Sequence, residues 1–158
     1  MIDEAKFNRF SIALNDFEKV IAFLDEAKRH PITSIVYESL IFAAIVCYCR
    51  PFSLNETSKD APAACRLNLE DFPPLSSPEL AAHEKCKELR NKALAHAEFN
   101  YRPIHLDHTT GGISSALFSF IGNSPDLEKL AELTHKLIRV CKNRRADFVW
   151  KASIPPQL

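Results

Sequence analysis

Phe7, Phe10, Leu14, Phe17, Ile21 and Leu24 recur at alternating steps of three and four, the spacing of one buried helical stripe. The pattern predicts a first helix over about Asp3 to Arg29. His30-Pro31 stops it, because the residue before a proline avoids the α region. A second helix is expected from Pro31 to about Tyr48. Its apolar positions (Ile32, Ile35, Val36, Leu40, Ile41, Ala44, Ile45, Tyr48) run nearly all round, which predicts a central place in the fold. Ser77-Pro78-Glu79 reads as an N-cap, a first-turn proline and a first-turn acid. It opens a third helix reaching about Phe99, with a seam of Ala82, Cys86, Leu89, Ala93 and His96. Asn123-Ser124-Pro125-Asp126 announces a fourth, buried along Leu127, Leu130, Leu133, Leu137, Val140 and Cys141. Phe148 and Trp150 are expected to close the end of the bundle.

Between these helices the pattern changes. Pro51 to Ser77 carries prolines at 51, 62, 73 and 74 and reads as a long irregular connection, pinned by Leu67, Leu69, Phe72 and Leu75. Tyr101–Asp107 and Ile113–Ile121 alternate or run apolar around His108-Thr109-Thr110-Gly111-Gly112, a β-hairpin-like excursion too small for a core sheet. The expected fold is all-α: a four-helix (to five-helix) up-down bundle, forming one domain over residues 1–158 with a flexible tail from about 152.

Composition narrows the picture in two places. The formal net charge is zero, so no global field attracts a polyanion, yet Lys136 to Lys151 holds six cations against the single acid Asp147. That end can touch nucleic acid or an acidic partner, or simply complement a helix dipole. The five cysteines follow no C-x-x-C spacing and read as reduced, mostly buried thiols. The N-terminus lacks a signal-peptide pattern. The apolar run Ile35–Cys49 contains Glu38 and falls short of the ~20 residues of a membrane span. The expectation is a cytoplasmic protein with no membrane partner.

Candidate chemistry concentrates in Lys87–Glu98, where Arg90 and Asn91 precede His96 on the third helix. An imidazole with a pKa near ~6.5 can take a proton from a ribose 2′-OH, and a guanidinium can hold a phosphate through two hydrogen bonds. The same residues serve equally as a packed histidine and a flank cation paired with Glu38 or another acid. On an α-helix a step of six residues turns about 600°, leaving about 120° between Arg90 and His96. A composite site then needs a bent helix end or two copies of the helix meeting across a two-fold axis. His83, Cys86, His105 and His108 match no standard zinc spacing, and no metal or cofactor is expected. Cys86 beside His83 would act as a nucleophile only with a depressed thiol pKa.

Arg90-Asn91-Lys92-Ala93-Leu94-Ala95-His96 resembles the Arg-x4–6-His motif of the HEPN superfamily (higher eukaryotes and prokaryotes nucleotide-binding domain), in which a polar residue commonly follows the arginine. The resemblance implies a helical bundle, usually a homodimer, here through the third helix. It also implies metal-independent endoribonuclease activity by 2′-OH transesterification, as in toxin–antitoxin and phage-defence systems, with an antitoxin or other protein as a further partner. Carried onto this chain, His96 is the acid/base, Arg90 the transition-state cation and Asn91 the orienting residue. Lys92, Arg50, Arg144 and Arg145 would contact the RNA backbone. Some members of the family lack nuclease activity, which leaves a non-catalytic dimeric interaction module as the alternative. Position 98, where some HEPN toxins carry a modified tyrosine, is Glu98, so that regulation is not implied.

Overall fold

The computed structural model describes residues 4–53, 66–95, 104–106, 108–115 and 119–153. Four α-helices dominate among them: α1 (Glu4–Ala27), α2 (Ile35–Cys49), α3 (Ser77–Glu88) and α4 (Leu127–Ser153). α3 continues as a π-helical segment, Leu89–Ala95. Two three-residue strands, β1 (Ile104–Leu106) and β2 (Ile113–Ser115), pair antiparallel with His105 opposite Ser114. So short a ladder forms no layer of its own, and the body of the protein is a helical bundle.

The three-four stripe of α1 is its buried face. Phe10, Leu14, Phe17 and Leu24 are buried, joined by Ala13, Val20 and Ala27. α1, rather than α2, is the central helix, with α4 packed on one side and α2 on the other. α2 turns Ile41, Ala44, Ile45 and Tyr48 inward but leaves Ile35, Val36 and Phe42 exposed, with Ile32 exposed just before it. Apolarity all round states that every face of α2 would gain from cover. Only packing decides which faces receive it. By length and composition alone, Ile35–Phe52 is apolar enough to cross a membrane.

The helix starts are set by side-chain caps, which move two expected boundaries. Pro31 belongs to the turn before α2, and the Ser34 hydroxyl accepts from the Tyr37 N–H at 3.1 Å, so Ser34 is the cap. Ser76, not Ser77, precedes α3, and its N–H donates to the Glu79 carboxylate at 2.7 Å. Asp126 caps α4 by accepting from the Lys129 N–H at 3.0 Å. The Lys136 ammonium donates to Glu79 at 3.1 Å and to the Pro74 carbonyl at 3.0 Å, tying α4 to the start of α3. Residues 152–153, expected to begin a loose tail, are the last of α4, and 154–158 lie outside the described residues. Phe148 packs edge-on against Phe7 at 5.4 Å, whereas Trp150 is 71 % exposed and closes nothing.

Where the irregular connection is described, it is anchored. Leu67 and Phe72 are buried, and the Leu67 N–H donates to the Pro51 carbonyl at 2.9 Å. Arg9, buried on α1, donates through Nη2 to the carbonyls of Arg50, Pro51 and Ser53 at 2.6, 2.9 and 2.8 Å. A single guanidinium thus gathers the carbonyls released where α2 ends in the 3-10 turn Arg50–Phe52.

His83 is a core residue. The Tyr48 hydroxyl and its Nδ1 share a hydrogen bond of 2.9 Å, and the ring stands edge-on to Phe52 at 4.9 Å. Burial pushes its pKa down to about 4, with Lys87 adding to the effect and Glu84, 3.7 Å from Nε2, opposing it. A folded-state pKa below the ~6.5 of an unfolded histidine means that protonation favours unfolding. The contribution is fully present above about pH 6.5 and is lost as the pH falls toward about 4, a total of about 3 kcal/mol. Urea unfolding at pH 7 and pH 4.5 should show that loss, and His83→Phe should flatten this part of the profile. An unchanged slope in the variant would assign the acid sensitivity to other groups.

Candidate functional site

The turn that ends α2, the return of the chain at Arg66 and the end of α3 enclose an open cleft of about 370 Å³. Its walls are Cys49, Phe52, Ser53, Arg66, Lys87, Arg90 and Asn91. Three of the seven are cations and none is an acid. Arg90 and Asn91 are exposed, and Arg90 Nη1 donates to Asn91 Oδ1 at 2.9 Å. No carboxylate pairs with Arg90 or Arg66 among the described residues. Lys87 has only an exposed contact with Glu84 at 3.4 Å, of a kind worth about 0–1 kcal/mol and easily exchanged for a ligand. A concave surface with three cations, an amide and no carboxylate among its described lining residues suits a phosphate group.

Three separate contacts build this cleft. Arg9 holds the turn that carries Phe52 and Ser53. The Leu67 N–H bond to Pro51 and the burial of Leu67 bring Arg66 alongside. Leu89, fully buried, anchors the start of the π segment and leaves the next two residues, Arg90 and Asn91, to face outward. Hydrogen bonding from i to i+5 is rare, occurs mostly as single-turn bulges in α-helices and is frequent at functional sites. It also widens the turn, so the α-helical pitch does not describe Leu89–Ala95. His96 itself lies outside the described residues.

The other expected contact residues divide. Lys92 is exposed on the π segment but does not line the cleft. Arg50 is committed elsewhere: its Nη1 lies 3.3 Å from Oδ1 of the buried Asp16. Desolvation pushes the Asp16 carboxyl above its usual range, with Arg50 the largest opposing influence. Arg144 and Arg145 are exposed near the end of α4, away from the cleft walls. Arg66 and Lys87 are the two residues that sequence reading did not select. Lys87 was within reach, one α-helical turn before Asn91. Arg66 carried no signal, because its place depends on how the chain returns after α2.

Among the described residues no group of three His, Cys, Asp or Glu side chains is placed to hold a metal. Burial pushes the Cys49 thiol up to about 12 and Cys86 well above its usual value, so neither supplies a thiolate at neutral pH. Cys47, Cys49, Cys86 and Cys141 are all buried, unbridged thiols.

A larger cavity of about 630 Å³ opens at the other end of α2, lined by Leu24, Ala27, Tyr37, Leu127 and Ala131 with His30 and His135 at its edge. Its volume exceeds that of the cationic cleft, but its chemistry is weaker. Its lining mixes Lys28, His30 and His135 with the acids Glu128 and Glu132, so it favours no one sign of charge. The cationic cleft is therefore the better candidate site. Compared with family models, curated proteins and solved structures, the chain matches none.

Proposed function

We propose that the protein is a HEPN-like endoribonuclease whose cleft at Arg90 binds the scissile phosphate of RNA. The observation that carries the reading is the exposure of Arg90 and Asn91, the first two residues of the motif, on a cleft whose described lining residues include Arg66 and Lys87 and no acid. In the proposed reaction His96 removes the proton of a ribose 2′-OH. The 2′ oxygen forms a bond to phosphorus, and the bond from phosphorus to the 5′ oxygen breaks. The leaving oxygen takes a proton, supplied by the imidazole of a second copy if α3 and its π segment form the homodimer contact. The products are a 2′,3′-cyclic phosphate and a 5′-hydroxyl. Arg90 stabilises the negative charge that grows on the phosphoryl oxygens, Asn91 orients it, and Arg66 and Lys87 hold the flanking backbone.

The test is incubation of varied RNAs with the wild type and His96→Ala in the presence of EDTA, with the product ends identified. The wild type should release cyclic-phosphate ends and the variant should be slower by about 10²–10⁴-fold, the range of a general acid–base contribution. Equal cleavage by both proteins, or none by either, would sink the assignment. A non-catalytic interaction module is the second reading. The observation favouring it is the uncovered apolar face of α2 formed by Ile35, Val36 and Phe42.

A further inference from the structure

The last turns of α4 leave the bundle and expose a side chain that a fold seldom exposes. Trp150 is 71 % and Val149 58 % exposed. Lys142, Arg145, Ala146, Val149, Trp150 and Ser153 follow one another at i, i+3, i+4, i+7, i+8 and i+11, so they share one face of the helix. That face lines a shallow depression of about 440 Å³, whose walls include the Trp150 indole and the cations Lys142 and Arg145. From Arg139 to Ser153 the chain holds Arg139, Lys142, Arg144, Arg145 and Lys151 against Asp147 alone. Lys142 makes an exposed contact with Glu18 at 3.3 Å. None of the other four cations pairs with a carboxylate among the described residues.

We infer that this end of α4 is a platform for single-stranded RNA, on which Trp150 stacks an unpaired base while Arg145 and Lys142 take the adjoining phosphates. The inference deepens the RNA reading above and rests on it. Base stacking on an exposed aromatic needs no particular base, and cations beside it follow the backbone. A paired helix offers no free base face, so the partner is single-stranded. A second copy of the chain fits poorly, because a two-fold contact here would set five cations against the same five. A lipid surface fits poorly as well. Its binding helices carry a broad apolar face, whereas this strip is only Ala146, Val149 and Trp150 wide, with Arg144 and Lys151 on the opposite side.

Position joins the platform to the cleft. Phe148 packs on Phe7, and two residues further along α1 Arg9 clamps the turn that carries Phe52 and Ser53 of the cleft. Platform and cleft therefore share one end of the bundle, where a single strand held at Trp150 can extend toward Arg90.

Trp150 is the only tryptophan in the chain, so intrinsic fluorescence reports on this face alone. The experiment titrates the full-length protein with a short 2′-O-methyl oligouridylate, which binds as single-stranded RNA but lacks the nucleophile for cleavage. Saturable quenching is expected, weakening steeply with salt, and duplex RNA should quench far less. With a labelled oligonucleotide followed by anisotropy, Trp150→Ala should weaken binding about ten- to a hundred-fold and Trp150→Phe much less, as expected for the loss of one stacked base. Arg145→Glu should weaken it too, with its circular dichroism unchanged. Absence of quenching, quenching insensitive to Arg145→Glu, or equal affinity of Trp150→Ala would overturn the inference. A fluorescence blue shift with phosphatidylserine vesicles and no response to the oligonucleotide would assign the face to a membrane instead. Because the probe cannot be cleaved, binding without nuclease activity refutes only the catalytic reading. Cleavage with an unchanged KM in Trp150→Ala refutes only the platform.

Discussion

On the proposed nuclease reading, Arg90→Ala is expected to lower metal-independent RNA cleavage by about 10²–10³-fold, the usual cost of removing one group that stabilises developing charge in a transition state. Most of the loss should fall on kcat, since Arg66 and Lys87 remain to bind the ground-state phosphate in the same cleft. Arg90→Lys keeps the charge but loses the planar fork, so it should recover only part of the rate. Arg66→Ala makes the contrasting case. As a flanking contact it should raise KM several-fold and leave kcat nearly intact. Thermal stability should hardly change in Arg90→Ala, because the side chain is exposed and, among the described residues, hydrogen-bonds to its neighbour Asn91. A fall in rate accompanied by an equal fall in melting temperature would mean that Arg90 supports the fold and not the reaction.

Arg9→Met should destabilise the protein by about 2–4 kcal/mol, from one carbonyl left without a donor and the loss of charged hydrogen bonds to two others. The methionine fills a similar volume but takes the charged donor from all three carbonyls: the Arg50 carbonyl keeps the Ser53 N–H and the Pro51 carbonyl the Leu67 N–H, while the Ser53 carbonyl loses the donor it has among the described residues. Each unsatisfied buried acceptor costs about 1–3 kcal/mol, and a charged donor makes the lost bonds stronger than average. The three effects overlap, because one nitrogen serves all three oxygens and the Pro51 carbonyl also accepts from Leu67. Urea unfolding measures the change directly. With a slope of about 1–3 kcal/mol/M, the midpoint should drop by about 1 M or more. A loss below about 1 kcal/mol would show that water replaces the guanidinium. RNA binding should weaken together with stability in this variant, since the clamped turn holds Phe52 and Ser53 and, through Pro51 and Leu67, the chain at Arg66.

These two arginines differ in how far the sequence reveals them. Arg90 stands in a local pattern, next to an amide and ahead of a histidine, and a local pattern survives in one dimension. Arg9 stands in the amphipathic stripe of a helix, where an arginine ordinarily reads as a solvated flank. Its partners are more than forty positions away, and no periodicity points to them. The same holds for His83. The chain shows a histidine close to a cysteine, which invites thoughts of metal or nucleophilic chemistry. Burial and the Tyr48 hydroxyl, 35 positions apart in sequence, make it a neutral core residue instead.

The π segment marks another limit. Nothing in Leu89-Arg90-Asn91-Lys92-Ala93-Leu94-Ala95 breaks an α-helical pattern, and its residues are mostly good helix formers. The wider turn is a small backbone adjustment, and the relative stabilities of the two helical forms depend on contacts with neighbouring elements. Any angular relation computed from an α-helical pitch inherits that choice.

By itself, the sequence determined the number and type of the helices, the inward stripe of α1 and the buried face of α4. It did so because those features are periodic, and a period is a property of the chain alone. It also displayed the motif residues Arg90 and Asn91 and the basic end of α4. The tertiary structure alone decided that α1 is central, that α2 keeps an apolar face outward and that Trp150 leaves the bundle. It alone brought Arg66 beside Arg90 and gave Arg50 to Asp16. The physical reason is that each of these depends on which surfaces meet. Two cations close together, or an apolar face left uncovered, result from chain segments far apart in sequence competing for the same contacts. That competition is settled by packing, with no local signal to announce its outcome.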